Sequence, residues 1–305
     1  MRGGSPSFRS FLSAFYDPEA LAAPLLRALI RLDPSVDVRA LGLPFDPVDG
    51  LEGVFVEPSP LADETSPPGP LSIDGEGELS KLARQDRVYL LSASSLLAPL
   101  NLAPEPGHTV FDACAAPGGK SLVASRFPGV RVAANEVSRP RRAHMAELFG
   151  RVAPGVQVTG FDASDLRRLP FPPDRILLDA PCSSDEHVLR QGADADWSPK
   201  RSKNLGSRQK GLLMSAFAAL APGGRLVYAT CTASPHEDEL ALARFLKRVG
   251  DRARLVPARG FGLPVDPGLA SFEGADLAHV GPLVLRTRPE RGLSPAFVGV
   301  IEKTG

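Results

Sequence analysis

From about residue 80 onward, short apolar runs alternate along the chain with segments of helical periodicity. The runs TVFDA, RVAANE, VQVTG, RILLDAP and GRLVYATC predict strands, and SRPRRAHMAELFGRV and GLLMSAFAAL between them predict helices. Ser138 suits the N-cap of the first of these helices, and Pro140 its first turn. Strands that are apolar almost throughout are buried on both faces, so the pattern predicts an α/β fold with a doubly wound, mostly parallel sheet. The final run, PAFVGVIEK, predicts a strand at an antiparallel C-terminal edge.

The residues before this region follow a different pattern. Residues 18–32 carry apolar side chains at helical spacing and predict a helix. Residues 41–79 are rich in proline, glycine and acidic residues, which predicts a linker with, at most, short strands such as GVFVE. We therefore divide the chain into an N-terminal extension, residues 1–79, and a catalytic domain, residues 80–305.

The charge is divided in the same way. Residues 1–79 carry 5 basic and 13 acidic side chains, whereas residues 80–305 carry 30 basic and 22 acidic ones, although the formal net charge is zero. A basic body is typical of enzymes that bind polyanions. Segregation of solvated surface charge would give the same numbers. The acidic extension is expected to dock on the basic body or to bind a protein partner, and we expect a monomer.

Composition excludes several classes of protein. No apolar run reaches the roughly 18 residues of a membrane helix. The N-terminus lacks the apolar core and cleavage site of a secretion signal, which predicts a cytoplasmic protein, with organelle import as a lesser alternative. Cys114, Cys182 and Cys231 are too few for a disulfide scaffold and form no CxxC pair, so we expect free thiols in a reducing compartment and no metal site.

Candidate chemistry collects where the predicted strands end, the edge at which doubly wound sheets bind ligands. In the first loop, residues 112–120, Gly118 and Gly119 permit close approach of a ligand to a helix N-terminus. The glycine spacing fits neither a dinucleotide fingerprint nor a Walker loop. Glu136, after the next strand, is placed to hold ribose hydroxyls, and Asp162, after the third, to accept from an adenine amino group. Asp112 also ends a strand, and together these groups predict an adenosine site.

Two thiols follow the next two strands. The fourth strand ends in Asp179-Ala-Pro-Cys182 and the fifth in Tyr228-Ala-Thr-Cys231. Either cysteine alone fits a small buried hydrophobe. Because the strand ends are neighbours in a doubly wound sheet, we expect both thiols to face one pocket beside the adenosine site.

Residues 199–210 contain five basic and no acidic side chains, directly before a predicted helix. This pattern predicts contact with nucleic-acid phosphates, and the preceding Trp197 is a candidate to stack on a base. A solvated loop and a core tryptophan are the plain alternatives. The basic residues are Lys200, Arg201, Lys203, Arg208 and Lys210.

Five motifs carry a resemblance that covers about residue 86 to the C-terminus. DACAAPGGK, ANEVSRPR, FDAS, DAPCSS and YATCTASPHEDE together resemble the Nol/Nop/Sun family of RNA cytosine-5 methyltransferases, in which Pro-Cys and Thr-Cys motifs are paired. VYLLSASSLLAPL and Asp185-Glu-His187 look most like the branch with the mitochondrial small-subunit rRNA enzyme. The resemblance implies a Rossmann-like methyltransferase fold, S-adenosylmethionine as cofactor and RNA as substrate, with rRNA favoured over tRNA.

The resemblance also implies roles for residues. Cys231 would be the nucleophile, Cys182 would assist its release, and Asp179 would contact the cytosine. Glu136 stands where the family often has aspartate, and the motif YATCTASPHEDE lacks the common asparagine between its acids. The residues implied to hold the cofactor are Cys114, Ala115, Ala116, Pro117, Gly118, Gly119, Lys120, Glu136, Asp162 and Asp179.

The implied reaction needs an activated thiol. Cytosine carbon 5 is a poor nucleophile, so a thiolate must first add to carbon 6. An ordinary cysteine has a pKa near 8.5, and His187 and Lys120 are candidates to lower it. A DNA cytosine-5 methyltransferase is disfavoured because its Glu-Asn-Val motif is missing. An RNA-binding assembly factor with little turnover stays open, and a dinucleotide oxidoreductase is disfavoured by the glycine spacing.

Overall fold

A nine-stranded sheet forms the centre of the computed structural model, which describes residues 7–22, 25–38, 40, 45–57, 73–190 and 197–304. The helices are α1 Phe8–Leu12, α2 Ile73–Arg84, α3 Leu97–Asn101, α4 Gly119–Ala124, α5 Arg139–Val152, α6 Asp185–Arg190, α7 Pro199–Ala219 and α8 Glu239–Val249. The strands are β1 Arg27–Arg31, β2 Asp46–Pro47, β3 Val54–Val56, β4 Val88–Ser92, β5 Thr109–Asp112, β6 Arg131–Asn135, β7 Gln157–Thr159, β8 Arg175–Asp179, β9 Arg225–Thr230, β10 Ala253–Val256, β11 Asp266–Pro267, β12 Ser271–Phe272, β13 Ala275–Asp276, β14 Leu285–Thr287 and β15 Ala296–Lys303.

The central sheet has the order β11-β14-β15-β9-β8-β5-β6-β7, and β10 also pairs with β15. The five strands from β9 to β7 are parallel, which confirms the predicted doubly wound sheet. β15 runs antiparallel to β9, as predicted, and its outer side is shared by β10 and β14. In β8, Leu177 packs into one core layer and Ile176 and Leu178 into the other, so both faces of the strand are covered.

The helix predicted over residues 18–32 is wrong. This segment forms a short 3-10 helix, Pro18–Ala22, and then the strand β1. The sequence has a proline at position 24, and proline is unfavourable in the interior of a helix. Ala28, Leu29 and Ile30 are all buried because β1 lies between β3 and β4 in a four-stranded antiparallel sheet, where consecutive residues face opposite sides. Helical spacing of apolar residues therefore did not decide the local structure.

The predicted linker contains more regular structure than expected. It includes β3, which matches the predicted strand GVFVE, and the beginning of α2. The predicted boundary after residue 79 falls within α2, and β4 completes the N-terminal sheet. Residues 41–44 and 58–72 of the linker lie outside the described residues. Within the described ranges, no helix is long and apolar enough to cross a membrane.

Candidate active site

The two thiols predicted to share a pocket lie next to one another. β8 and β9 pair in parallel, with Asp179 beside Ala229, so the loops after them leave the same edge of the sheet. The Sγ atoms of Cys182 and Cys231 are 3.0 Å apart, and Ser184 Oγ is 3.4 Å from Cys231 Sγ. Cys231 is exposed and Cys182 is half-buried. Cys231 is thus available to a ligand, and Cys182 contacts Cys231 from the protein interior.

A cavity of about 410 Å³ opens in front of Cys231. Lys120 and Asp179 line it and form an ion pair, with 2.7 Å between Lys120 Nζ and Asp179 Oδ2. His187 also lines the cavity. Small-molecule sites have comparable volumes. The opposite walls come from the end of β4 and from the loop before β15, and they are formed by Ser92, Ser94, Ser95, Ala98, Ser294, Pro295 and Ala296.

The thiols differ in their readiness to ionise. The hydrogen bonds from Cys182 and Ser184 and the positive charge of Lys120 hold the pKa of Cys231 below its ordinary value, against burial and the charge of Asp179. The hydrogen bond to Cys231 and burial raise the pKa of Cys182 well above the ordinary value. The thiolate is the nucleophilic form of cysteine. Cys231 is therefore the more reactive of the two, and Cys182 keeps its proton.

Asp185 joins the loops that carry the two thiols. Its carboxylate is fully buried and accepts hydrogen bonds from the Ala233 N–H at 2.6 Å and the Thr232 hydroxyl at 2.7 Å. Its own N–H donates to the carbonyl of Cys231 at 3.2 Å. Ser183, next to Cys182, donates to both Asp185 and Thr232. Sequence reasoning noted Asp185 only as part of a branch resemblance and missed this contact.

A second set of buried acids supports the same loops from beneath. Glu237 accepts from the Ser183 N–H at 2.9 Å and from Gln209 Nε2 at 3.1 Å. Glu239 forms a two-armed ion pair with Arg286, which also donates to the carbonyl of Ala233 at 2.9 Å. The sequence could not reveal these roles, since four consecutive polar residues, 236–239, ordinarily indicate a solvated turn. All four are buried here.

The predicted adenosine loop connects β5 to α4. Gly118 has a φ of +117°, a conformation that favours glycine, and the Ala116–Pro117 bond is cis. A β-carbon at Gly119 would lie 2.9 Å from the Tyr89 ring, so this position requires glycine for space. Cys114 belongs to the loop, but burial and the charges of nearby carboxylates raise its pKa to about 12, which leaves it an unreactive thiol.

Asp112 supports the base of this loop. It is fully buried and accepts from Ser121 Oγ at 2.6 Å. Burial raises its pKa to about 7, against the lowering effect of the Ser121 hydrogen bond. A carboxyl enclosed in this way holds the loop and does not reach a ligand.

The two acids predicted to hold an adenosine lie beside the loop. Glu136 accepts from the Ser138 N–H at 2.8 Å and pairs with Arg141 at 3.2 Å, whereas Asp162 is exposed. Ser138 is the N-cap of α5, as predicted, although its side chain makes no capping hydrogen bond. Sequence reasoning missed Asn135, whose buried amide bonds to Ala113, Thr159 and Phe161 and so ties the loops after β5, β6 and β7 together.

The basic segment is helical and not a loop, because it forms the first half of α7, with Ser198 as N-cap. Lys200, Arg201, Lys203 and Arg208 are exposed, and Lys210 is half-buried. Ser202, Gly206 and Gln209 form the buried side of this half of the helix, so the basic residues lie on its remaining surface. Lys203 pairs with Glu273 at 3.2 Å.

The suggestion that Trp197 stacks on a base is wrong. Its ring is buried and packs on Phe8 and Phe11 of α1, with centroid distances of 5.1 and 4.7 Å. The tryptophan therefore fixes the N-terminal segment to the start of α7. Among the described residues, no group of three histidine, cysteine, aspartate or glutamate side chains could hold a metal ion.

Comparison with known proteins places this geometry in a family. Residues 99–263 match the model of the 16S rRNA methyltransferase RsmB/F family. The ribosomal RNA small subunit methyltransferase B of Vibrio cholerae is 36% identical over 61% of this chain and 44% of its own length. The mitochondrial tRNA (cytosine(34)-C(5))-methyltransferase of Mus musculus is 38% identical over 52% of this chain and 49% of its own length. The chain thus spans about half the length of the curated relatives it matches.

Solved structures share the fold over nearly the whole chain. A methyltransferase homolog protein from Pyrococcus horikoshii is 26% identical, with a TM-score of 0.71, and the match covers 93% of this chain and 88% of that one. NSun6 from the same organism, solved with SFG, has a TM-score of 0.69 at 18% identity, over 94% of this chain and 93% of that one. The second likeness shows the fold alone.

Proposed function

The chain belongs to the RsmB/F family of 16S rRNA methyltransferases, and from that premise we propose that it transfers a methyl group from S-adenosylmethionine to carbon 5 of a cytosine in ribosomal RNA. The observation that carries this proposal is the thiol pair beside the Lys120–Asp179 ion pair. A single cysteine would fit many proteins. An exposed thiol with a lowered pKa, in contact with a second thiol that keeps its proton, fits addition of the first sulfur to a nucleobase and its later elimination.

The residues beside the first loop fit S-adenosylmethionine. The loop after β5 turns at Gly118 into the start of α4, and two carboxylates, Glu136 and Asp162, follow the neighbouring strands β6 and β7. Val137 lies next to Glu136 and is 58% exposed, so its apolar side chain is available to contact a flat ring. We assign the ribose to Glu136, the adenine amino group to Asp162 and the apolar face of the adenine to Val137. When bound, the cofactor supplies an electrophilic methyl group.

The residues of the cavity perform the rest of the reaction. The Cys231 thiolate adds to carbon 6 of the cytosine, which forms a carbon–sulfur bond and makes carbon 5 nucleophilic. Asp179 hydrogen-bonds the ring, and its partner Lys120 supplies the positive charge that stabilises the negative charge developing on the ring. After carbon 5 has received the methyl group, water in the cavity accepts the carbon-5 proton, the electron pair of that C–H bond restores the ring double bond, and the carbon–sulfur bond breaks with its electron pair on Cys231. We assign Cys182 to this release step, in which its thiol hydrogen-bonds to the departing sulfur.

The order of the two thiols has physical support. The two sulfur atoms share a hydrogen bond of 3.0 Å, and the pKa of Cys231 is lowered while that of Cys182 is raised. The cavity is lined by Cys231 and not by Cys182. Both observations favour Cys231 as the nucleophile and Cys182 as its helper.

The RNA partner and the role of the N-terminal extension are proposed on separate grounds. The exposed basic side chains of α7 are assigned to RNA phosphates, because they extend from a helix whose buried side supports the Cys182 loop through Gln209.

We keep residues 80–305 as the catalytic domain. We also keep a protein partner for residues 1–79, a monomeric state and a cytoplasmic location. One relative is a mitochondrial tRNA enzyme, so tRNA and organelle import are the alternatives that experiment should separate.

Mapping of 5-methylcytosine tests the proposal. The full chain is incubated with total RNA and labelled S-adenosylmethionine, and the methylated cytosines are identified by bisulfite sequencing. We expect label at discrete cytosines of small-subunit rRNA, and none with Cys231→Ala. Label confined to tRNA would move the substrate to tRNA, and label in duplex DNA but not in RNA would refute the proposed activity.

A further inference from the structure

A second cavity lies at the opposite end of the molecule from the thiols. It has a volume of about 550 Å³ and is formed by the turn after α4, the end of β1 and the turn between β2 and β3. Val130, in its wall, directly precedes β6, whereas the thiols follow the carboxyl ends of the parallel strands β8 and β9. Arg31 similarly pairs with the start of β4, while Ser92, at the other end of β4, lines the thiol cavity. The two cavities are therefore separate.

Arg126 makes this second cavity unusual. Its side chain is half-buried, and its Nε is buried without a hydrogen-bond acceptor among the described residues. A cation at the end of a helix such as α4 is favoured by the helix dipole, but this does not supply the missing acceptor. Buried polar groups are almost always hydrogen-bonded, so Arg126 Nε is an exception, and the guanidinium retains a donor for an acceptor brought by a ligand.

The surroundings of Arg126 increase the excess of positive charge. Arg31 lines the same cavity with only 26% of its side chain exposed, and its nearest acid, Glu52, is 3.9 Å away and 95% exposed. Burial and the charge of Arg31 lower the pKa of Arg126, against the opposing charge of Glu52. Two guanidinium groups thus share one solvated carboxylate, which offers weak compensation.

We propose that this cavity binds a phosphate-bearing ligand of nucleotide size, with the phosphate between Arg126 and Arg31. The planar fork of donors in arginine matches phosphate oxygens, and two arginines on one cavity suit a dianion better than a carboxylate. The remaining wall includes Leu32, Pro34 and Phe127, which provide apolar surface for a base or sugar. A volume of about 550 Å³ is within the range of small-ligand sites. The phosphate comes either from a nucleotide of a bound RNA or from a free mononucleotide.

Nuclear magnetic resonance of the arginine side chains tests the site directly. The full chain, labelled with ¹⁵N, is titrated with inorganic phosphate and with cytidine 5′-monophosphate, and the Nε–H signals are followed. We expect saturable movement of the Arg126 and Arg31 signals, at lower concentration for the nucleotide, and a loss of affinity of about tenfold in Arg126→Met. Arg31→Met should weaken binding in the same direction, and the backbone amide signals report whether each variant is folded.

Arg167→Met is the matched control, because Arg167 is 80% exposed and already paired with Asp165. It should bind both probes as the wild type does. Absence of saturable movement at Arg126, or equal affinity in wild type and Arg126→Met, would overturn the proposal. Equal movement of all arginine signals would show charge screening alone and would overturn it as well.

The source of the phosphate is separated by a second measurement. Binding of a short single-stranded RNA is measured across a range of salt concentrations for wild type and Arg126→Met. If RNA supplies the phosphate, the variant binds more weakly and the slope of log affinity against log salt falls by about 1. If a free mononucleotide supplies it, RNA affinity is unchanged while the nucleotide affinity is lost. Since neither measurement depends on methyl transfer, failure of this site leaves the proposed function untouched.

Discussion

Replacement of Asp185 by alanine is expected to disable the thiol pair without touching either sulfur. The carboxylate is the acceptor for the Ala233 N–H and the Thr232 hydroxyl, both within two residues of Cys231. In Asp185→Ala both donors remain buried and lose their acceptor. The backbone N–H of residue 185 still donates to the Cys231 carbonyl, and Ser183 and Ser184 still hydrogen-bond to Thr232 and Cys231, so the loop loses its two contacts to the carboxylate but is not released altogether.

The magnitude follows from the number of donors left unpaired. Each buried donor without a partner costs about 1–3 kcal/mol, so two of them cost about 2–6 kcal/mol before water or loop movement relieves part of the loss. We expect the free energy of unfolding to fall by about 3 kcal/mol in Asp185→Ala. Burial raises the pKa of Asp185 to about 7 despite its hydrogen bonds, so the carboxyl is partly protonated near neutral pH. The neutral amide of Asp185→Asn should therefore cost only about 1 kcal/mol, since Thr232 can accept from it.

Two assays separate positioning from stability. Denaturant titration gives the free energy of unfolding, and mild oxidation measures how fast Cys182 and Cys231 form a disulfide, followed by the loss of two hydrogen masses. We expect Asp185→Ala to slow disulfide formation and methyl transfer together, with Asp185→Asn close to wild type in both. Asp165→Ala, which removes only a surface ion pair, is the control. If Asp185→Ala kept both the wild-type stability and the wild-type oxidation rate, the assigned role of Asp185 would be wrong.

Two further predictions follow from the same contacts. The rate at which iodoacetamide alkylates Cys231 should rise with pH, and the midpoint of this rise should lie below that of an ordinary cysteine, because the hydrogen bonds from Cys182 and Ser184 lower the pKa of Cys231. Ser184→Ala should move the midpoint to higher pH. An unchanged midpoint would exclude the Ser184 hydrogen bond as a cause of the lowered pKa. In α7, a β-carbon at Gly206 would lie 2.0 Å from the backbone oxygen of His236, whereas a β-carbon at Gly211 would have no atom within 4 Å. Gly206→Ala should therefore lower the free energy of unfolding by about 3 kcal/mol or more, and Gly211→Ala should raise it by about 0.5–1 kcal/mol. Thermal denaturation of the two variants measures both changes.

The parts of the fold that the sequence predicts well are those where one pattern has one physical outcome. Strands such as β8, whose three central residues are all apolar and buried, are best accommodated at the centre of a sheet that is covered on both faces. Because parallel strands end at the same edge, residues 179–182 and 228–231 had to lie side by side. The adjacency of the thiols was therefore predictable, although the distance between them was not.

The remaining features depend on partners that are distant in sequence. β1 has helical spacing but finds β3 and β4 as neighbours, and burial on both sides outweighs its local preference. Trp197 precedes a basic segment, yet α1, from the other end of the chain, covers it. The burial of Glu239 depends on Arg286, a cation 47 residues away. No local pattern contains such pairings.

The order of the two thiols was the least predictable feature of the site. Both sequence motifs place a cysteine just after a strand, and only the family resemblance assigned the nucleophile to Cys231. The two thiols differ in exposure, because Cys231 is exposed and lines the cavity whereas Cys182 is half-buried behind it. Such a distinction depends on the conformation of two loops and is invisible in the sequence.

Trapping of the covalent adduct tests the central claim most directly. Cys182→Ala is incubated with total RNA and S-adenosylmethionine, and protein–RNA adducts that survive denaturing gels are quantified beside the double variant Cys182→Ala/Cys231→Ala. We predict that the single variant accumulates the adduct, because Cys231 still adds to the base while its release is impaired, and that the double variant forms none. Adduct in the double variant, or full methyl transfer by Cys231→Ala alone, would contradict the assignment of Cys231 as nucleophile.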